Sequence, residues 1–450
     1  MKIPVRPPLT QDILNAVVAA GPALLGKVIG LRMVTDAQGR YLHWDKVRYL
    51  EPPHGLTPEQ YWLSFKLSRN YKQLPFIDKA GDHFRYVVID SMLKDLHWLD
   101  QNASGSILMH QPITNPNTRD TYLVSSLMEE AINSSQIEGA ATTREVAKEM
   151  LREGRPPRDY SEQMIYNNYL AMQFVRENRN ENLTKEMIFE LHRILTEETL
   201  QDPDKAGRLR AVNDRIHVVD AGGTEILHTP PKAEELESRL ELLCTFANER
   251  EAQGFLHPLL KAMILHFMIG YDHPFVDGNG RTARALFYWY ALRHGYWLLE
   301  FLSISAVIKE APQQYVKAYL FTETDENDVT YFLIHQLETI RKAIERLHEY
   351  LRTKAGEIEE AEKLLERTVF QGKLNHRQLA LLDHALKHPG ALYTIEGHRN
   401  SHRISYQTAR TDLLKLSEEV PLLRKRKQGN AFAFAAPLDL RKRLEELSHP

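Results

Sequence analysis

The sequence predicts a mostly α-helical protein, with one short β-hairpin among its central helices and a winged-helix-like module at its C-terminal end. Three observations carry that prediction. Between about 120 and 350 the apolar residues recur at helical rather than strand spacing. The piece Ala211 to Pro231 breaks this pattern: Ile216-His-Val-Val219, then Gly222–Gly223, then Ile226 and the stop Pro230–Pro231 read as two short strands and their turn. Residues 373 to 437 hold three helical patterns, at 376–388, about 394–401 and 405–418, and then two strand-like runs around Gln428-Gly-Asn430.

Length and composition agree with this reading. A chain of 450 residues is too long for one compact core, and at about 150 residues per unit it implies two or three domains. Hydrophobic residues at 43% and charged residues at 26% exclude a wholly disordered chain. Lys and Arg number 57 against 60 Asp and Glu, a net charge of -3, so any nucleic-acid footprint has to be local. Cys244 is the single cysteine, which leaves no internal disulfide and no Cys-based metal site, and suits a reducing compartment. No apolar stretch reaches the ~20 residues of a membrane helix. Lys2 and Arg6 precede a mildly apolar run, Ile13 to Ile29, but Asp12, Asn15, Gly21–Pro22 and Lys27 interrupt it. A short surface helix capped by Thr10 is expected there, rather than a secretory leader. The expected location is cytoplasmic.

The expected organisation is an N-terminal accessory region over 1–100, a helical core over 101–350, a helical linker over 351–372 and the terminal module over 373–450. Leu31 to Tyr49 alternates around Asp36-Ala-Gln-Gly39 and reads as a hairpin; Thr57-Pro-Glu-Gln60 opens a helix. No chemistry is visible there, so the region reads as an accessory or lid. A helix bearing Leu127 and Ala131, within about 121–139, ends at Ser134-Ser-Gln-Ile-Glu138-Gly139, and Thr142-Thr-Arg-Glu145 reads as a capping box for the next. Ser134 and Glu138 are four apart and are expected on one face. Thr184 caps a helix running to about Leu200, Pro231 begins one lasting to about Glu251, and His257–Pro258 begins a third that is apolar on nearly every face and so belongs in the centre of a bundle. Residues 325 to 370 read as long helices rich in Glu, Lys, Arg and Leu.

The informative stretch is His273-Pro-Phe-Val-Asp277-Gly-Asn-Gly-Arg281-Thr-Ala-Arg284. It lies between two apolar helices, so its geometry is helix, tight loop, helix. Gly278 and Gly280 let backbone amides approach a ligand closely, and those amides sit at a helix start, where unpaired donors and the dipole favour an anion. Arg281 and Arg284 are three apart and add two cations to one face. Asp277, an acid in this positive setting, is best explained as the ligand of a divalent metal that also bridges phosphates. His273 is the residue type that accepts a proton from an attacking hydroxyl. Singly, each of these residues suits ordinary turn chemistry. Together, within twelve positions, they describe a di- or triphosphate site with a base beside it.

HPFVDGNGRTAR matches in full the HPFx(D/E)GNGRxxR signature of Fic-domain proteins, and the chain resembles that family over about 30–350. The resemblance implies a Fic-type helical bundle with the hairpin at about 214–230 as its flap, and transfer of AMP from ATP with Mg2+ to a Ser, Thr or Tyr hydroxyl of a target protein. It implies His273 as the base, Asp277 as the Mg2+ ligand, and Gly278, Asn279, Gly280, Arg281, Thr282 and Arg284 as the nucleotide-binding set, with Tyr315 where relatives place an adenine contact. Related folds that phosphorylate carry Lys where this chain has Gly280, which favours AMP transfer. SSQIEG fits the family's inhibitory motif (S/T)xxxE(G/N). Ser134, Glu138 and Gly139 are then inhibitory, with Glu138 pairing with Arg284 in a self-inhibited resting state, and the same glutamate serves AMP removal in some relatives. The enzyme itself is an expected target, and a homodimer an expected assembly. His217 and His228 receive no role.

The terminal module is basic, with 11 Lys and Arg against 5 Asp and Glu between 373 and 437. Arg424-Lys-Arg-Lys427 falls on the expected wing, and Ser405 caps a helix bearing Gln407, Thr408 and Arg410. This suits phosphate and base contacts with DNA, with dimerisation or target docking as the other reading. The alternative for the whole chain is a DNA-binding regulator whose Fic core senses ATP.

Overall fold

The computed structural model describes residues 2–104, 116–220, 222–249, 254–366, 372–428 and 431–446. The chain is mostly helical, as expected, and packs as two units: residues 1–104, 170–296 and 307–341 form one, residues 105–169, 297–306 and 342–450 the other.

At the heart of the first unit, helix Pro258–Asp272 packs on helix Asn279–Arg293, and each buries thirteen of its fifteen residues. A helix without a polar side can only be stable inside, so the helices Lys185–Thr196, Leu236–Asn248 and Pro312–Thr324 surround the pair. Thr184 caps the first of these through the amide of Met187. The helix expected from Pro231 begins later, at Leu236 after a short turn, and ends at Asn248, position 251 lying outside the described residues. Strands β1 (Lys72–Ile77) and β2 (His83–Tyr86) pair antiparallel, as do β3 (Val218–Val219) and β4 (Ile226–His228), the expected hairpin.

Two local expectations in the N-terminal segment fail for identifiable reasons. Leu31–Tyr49 forms no hairpin. Asp36 accepts the amides of Gln38 and Arg40 on its own carboxylate, which closes a turn without strands, and the next element is the short helix Trp44–Val47. Thr10 is not a cap. It lies inside the first helix, Thr10–Ala19, and its hydroxyl donates to Glu326. Thr57 does open its helix, with a reciprocal capping box to Gln60 and Pro58 at the first position.

The region read as a lid is built into this unit by a buried charged network. Asp325 lies 2.8 Å from the Lys66 ammonium and 3.6 Å from Arg69, and accepts the Tyr331 hydroxyl at 2.8 Å. Asp328 accepts the hydroxyls of Tyr41 at 2.6 Å and Tyr71 at 3.1 Å, and the Arg69 guanidinium lies 3.8 Å over the Tyr41 ring. Lys66, Arg69, Asp325 and Asp328 are almost wholly buried, and Lys66 has a further partner in the part-exposed Glu326 at 3.3 Å.

In the second unit, helix Pro116–Ile137 ends where expected. The next helix, Arg144–Glu153, is capped by Thr143 through Val146, one residue later than the capping box at Thr142 would have it. One long helix, Thr330–Glu366, begins in the first unit and ends in this one. The terminal segment runs helix His376–Lys387, strand β5 (Leu392–Thr394), helix Ile395–His402, helix Tyr406–Leu414, then β6 (Arg424–Gln428) and β7 (Ala431–Ala435). Its sheet has the order β5-β7-β6, all antiparallel; positions 429–430 of the expected turn lie outside the described residues.

Burial raises the Asp325 carboxyl, but Lys66 and Arg69 outweigh it and hold the group below the usual carboxylate range. A carboxyl held low in the folded state adds stability that is complete above the unfolded value of about 3.9 and is lost as pH falls through the folded value. Replacing Asp325 with Ala leaves two buried cations with only Glu326, at 3.3 Å from Lys66, and Asp328, at 3.9 Å from Arg69, and is expected to remove about 3–5 kcal/mol in urea unfolding. Asp325→Asn should flatten the wild type's loss of stability below about pH 4. A loss under about 1 kcal/mol for Asp325→Ala would mean that the network does not tie these segments together.

Candidate active site

Helix Pro258–Asp272 ends at His273, which adopts a left-handed backbone, φ 46° and ψ 57°. A non-glycine residue there is strained, and the surroundings have to hold it. Arg210 does so. Its guanidinium donates to the carbonyls of His273, at 2.9 Å, and Pro231, and its amide donates to Pro274 O at 2.8 Å. One residue thereby binds the start of the loop to the end of the flap. The His273 ring lies with Nδ1 3.3 Å from Gly270 O. A carbonyl can only accept, so Nδ1 carries the hydrogen in this contact.

The loop is cross-braced from within. The Asn279 side chain accepts the Phe275 amide and donates to the Phe275 carbonyl, both at 2.9 Å. The side chain of Asn279, a member of the expected nucleotide-binding set, thus closes the loop. Gly278 has φ 78°, and a β-carbon there would stand 3.0 Å from Thr196 Cγ2, so both conformation and space require glycine. Gly278 precedes helix Asn279–Arg293, which has no side-chain cap at this end; its first amides therefore have no partner within the helix. Gly280 is the second position of that helix.

Among the predicted cations, Arg281 is fully buried. It donates to Leu195 O at 2.8 Å and to Asp277 Oδ2 at 3.4 Å, while its Nε has no hydrogen-bond partner. Arg284 is buried too, on the side of His266 and Tyr319. Burial first, and then the charges of Arg284 and His335, push the His266 imidazole well below its usual range. Thr282 directs its hydroxyl to Gly278 O at 2.9 Å, within its own helix. Tyr315 shares a 2.8 Å hydrogen bond with His266 Nε2 and packs edge-on against Tyr319. Asp277 keeps its carboxylate about half exposed, with Oδ1 accepting the Gly278 amide at 2.6 Å. One accessible carboxylate at the mouth of an anion site suits Mg2+, which takes one or two protein carboxylates and completes its shell with phosphates and water.

Sequence reasoning missed His192. Its Nδ1 accepts the Gly207 amide at 2.9 Å, its Nε2 donates to Asp277 O at 2.9 Å, and its ring stacks on Phe275 at 3.8 Å and 9°. Burial lowers its pKa to about 4, so it bridges the two backbones as an uncharged imidazole. The available signal was weak. Ile188, Leu191, His192 and Leu195 form the buried stripe of one helix, and His192 is the polar member of that stripe. His228, left without a role, anchors β4: Nε2 donates to Tyr271 O at 2.7 Å and Nδ1 meets Glu323 at 2.8 Å. Asp272, the residue before His273, is pushed up to about 6 by burial, against the opposing effect of Arg239. His217 lies 3.5 Å from the Thr229 hydroxyl.

In the other unit the expected inhibitory residues occupy a helix end. The helix stops at Ile137, Gly139 has φ 99°, and the amides of Glu138 and Gly139 donate back to Ser135 and Gln136. Ser134 is buried, and Glu138, one residue past the last helical turn, is exposed.

Because His192 fixes the carbonyl of Asp277, His192→Ala is expected to weaken Mg·ATP binding about 10- to 100-fold by calorimetry, as losing a group that orients a metal ligand does. His192→Gln, which keeps an N–H donor, should recover part of that. A folded His192→Ala variant with wild-type affinity would detach this residue from the site.

Residues 182–291 match the family model described as the Fic/DOC family. A protein named Protein adenylyltransferase Fic from Nematostella vectensis is 33% identical over 118 residues, 26% of this chain and 25% of its own. The protein of the same name from Aedes aegypti is 33% identical over 119 residues, 26% of this chain and 21% of its own. This chain thus spans about a quarter of the length of the curated relatives it matches. Among solved structures, a Fic family protein from Desulfovibrio desulfuricans aligns over 78% of this chain and 97% of its own, at 18% identity and a TM-score of 0.47. A Fic domain containing signaling protein from Bacteroides thetaiotaomicron aligns over 58% and 97%, at 19% identity and a TM-score of 0.43. The segment that matches the Fic/DOC family model contains the whole loop from His273 to Arg284 as well as His192 and Arg210.

Proposed function

We propose that this protein is an adenylyltransferase that moves AMP from ATP to a Ser, Thr or Tyr hydroxyl of a protein target. The observation that carries the reading is the His273 ring, hydrogen-bonded through Nδ1 to Gly270 O, at the head of a loop that runs into a helix start with no side-chain cap. In this reading the polyphosphate lies against the amides at Gly278–Gly280, where the dipole's positive end favours it. A target hydroxyl at Nε2 gives its proton to the imidazole as its oxygen bonds the α-phosphorus. The bond from that phosphorus to the bridging oxygen of the β-phosphate breaks, and pyrophosphate leaves.

Arg281 and Arg284 supply positive charge along the phosphates without exposed guanidinium groups, and Gly280 stands where related folds that phosphorylate carry Lys. Mg2+ would be held by Asp277 and would neutralise charge on the phosphates. The relatives' printed names support ATP as donor.

Glu138, with Ser134 and Gly139, acts in this proposal as a brake on the reaction, as the resemblance of SSQIEG implies. Its exposed position at a helix end leaves it accessible to a regulating partner. The experiment is incubation of wild type, Glu138→Gly and His273→Ala with labelled ATP and Mg2+. Label should appear on protein, the enzyme included, rise for Glu138→Gly and fall by about 10²–10⁴ for His273→Ala, the span of a general base. Equal labelling by all three would contradict the transferase reading; unchanged labelling by Glu138→Gly alone would remove only the brake.

A further inference from the structure

The basic surface of the terminal module has no part in nucleotidyl transfer. The helix Ile395–His402 packs on the helices Pro116–Ile137 and Arg144–Glu153, and Asn400 donates to Arg152 O at 2.9 Å. The following helix, Tyr406–Leu414, is oriented otherwise. It buries Ala409, Asp412 and Leu413 and exposes Tyr406, Gln407, Arg410 and Thr411. Its seat is rigid, because Asp412 accepts from Arg377 Nε at 2.6 Å and from Asn375 at 2.8 Å and meets His398 at 3.2 Å, which joins three helices at one carboxylate.

Strand β6 is the edge of its sheet, and all four of Arg424, Lys425, Arg426 and Lys427 are exposed. Lys425 pairs with Glu418 and covers the Phe432 ring at 4.6 Å. The other three, with Arg403 and Arg410, form a set of five cations that make no ion pair among the described residues. Five exposed cations on one small module, of which Arg424 also acts on Asp439, in a chain whose net charge is -3, are a local footprint and not a general property of the protein.

We propose that residues 403–427 form a binding surface for duplex DNA, with helix Tyr406–Leu414 entering the major groove and the β6–β7 hairpin lying along the phosphates. The chemistry of the exposed helix face favours DNA over an acidic protein surface: Arg410, Gln407 and Thr411 are side chains that read base edges, and the flanking cations are unpaired as phosphate contacts need to be. The order β5-β7-β6 puts the basic strand at the outer edge of the sheet, where a backbone can reach it.

The test is fluorescence anisotropy of the full chain with a labelled random-sequence duplex, read as a function of salt. With five phosphates neutralised, log K should fall against log salt with a slope of about -4.5, which is about a 500-fold loss between roughly 50 and 200 mM. The variant Arg424→Ala/Arg426→Ala/Lys427→Ala removes exposed side chains only, and its slope should relax to about -1.8. Arg410→Ala should remove about 0.9 from the slope and weaken any sequence preference. A wild-type slope near zero, or a triple variant with the wild-type slope, would overturn the proposal. So would duplex RNA bound as tightly as DNA, since its deep major groove does not admit a helix.

Discussion

The loop from His273 to Gly278 joins two helices that are buried on almost every face, and its shape is imposed from outside. Arg210 takes up the carbonyls of His273 and Pro231, and His192 holds the carbonyl of Asp277. A left-handed histidine and a left-handed glycine occur within six residues; glycine takes that conformation freely, but the histidine's is strained and has to be held. The supporting groups are buried, and His192 is uncharged. The restraint is therefore one of shape, insensitive to salt and, for His192, to pH in the physiological range.

Charge is distributed in the opposite sense. Buried arginines stand behind the helix start, and the one half-exposed charge of the loop is the Asp277 carboxylate. Arg281 keeps a buried Nε without a partner, a group whose desolvation costs roughly 1–3 kcal/mol. Such a cost persists where a site has to keep positive potential for a ligand that arrives already hydrated. The flap belongs to the same arrangement: His228 ties β4 to Tyr271 O, two residues before His273, so the hairpin and the loop share an anchor.

What could be read in the chain was contiguous. Twelve residues carried base, acid, glycines and arginines in order, and the central helices declared themselves by lacking a polar side. Partners distant in sequence could not be read. His192 and Arg210 lie some 60 to 90 residues before the loop they hold, and nothing in their own neighbourhoods distinguishes them from ordinary buried polar residues. One error was local. Leu31–Tyr49 alternates like a hairpin, but Asp36 satisfies the turn amides by itself and the flanks never pair. The bracing of Phe275 by the Asn279 side chain was not legible either, since the motif shows the residue and not its partner. The charged network around Asp325 was invisible for the same reason as His192, since Lys66 and Arg69 find their partners some 260 residues later.

All of this depends on the amides at the start of helix Asn279–Arg293 being the seat of a polyphosphate. Hydrogen exchange of the peptide spanning 277–284, with and without Mg·ATP, addresses those amides themselves. Slower exchange there on addition of nucleotide, absent with adenosine, is the predicted result. Exchange unaffected at 277–284 while nucleotide is demonstrably bound would contradict the account.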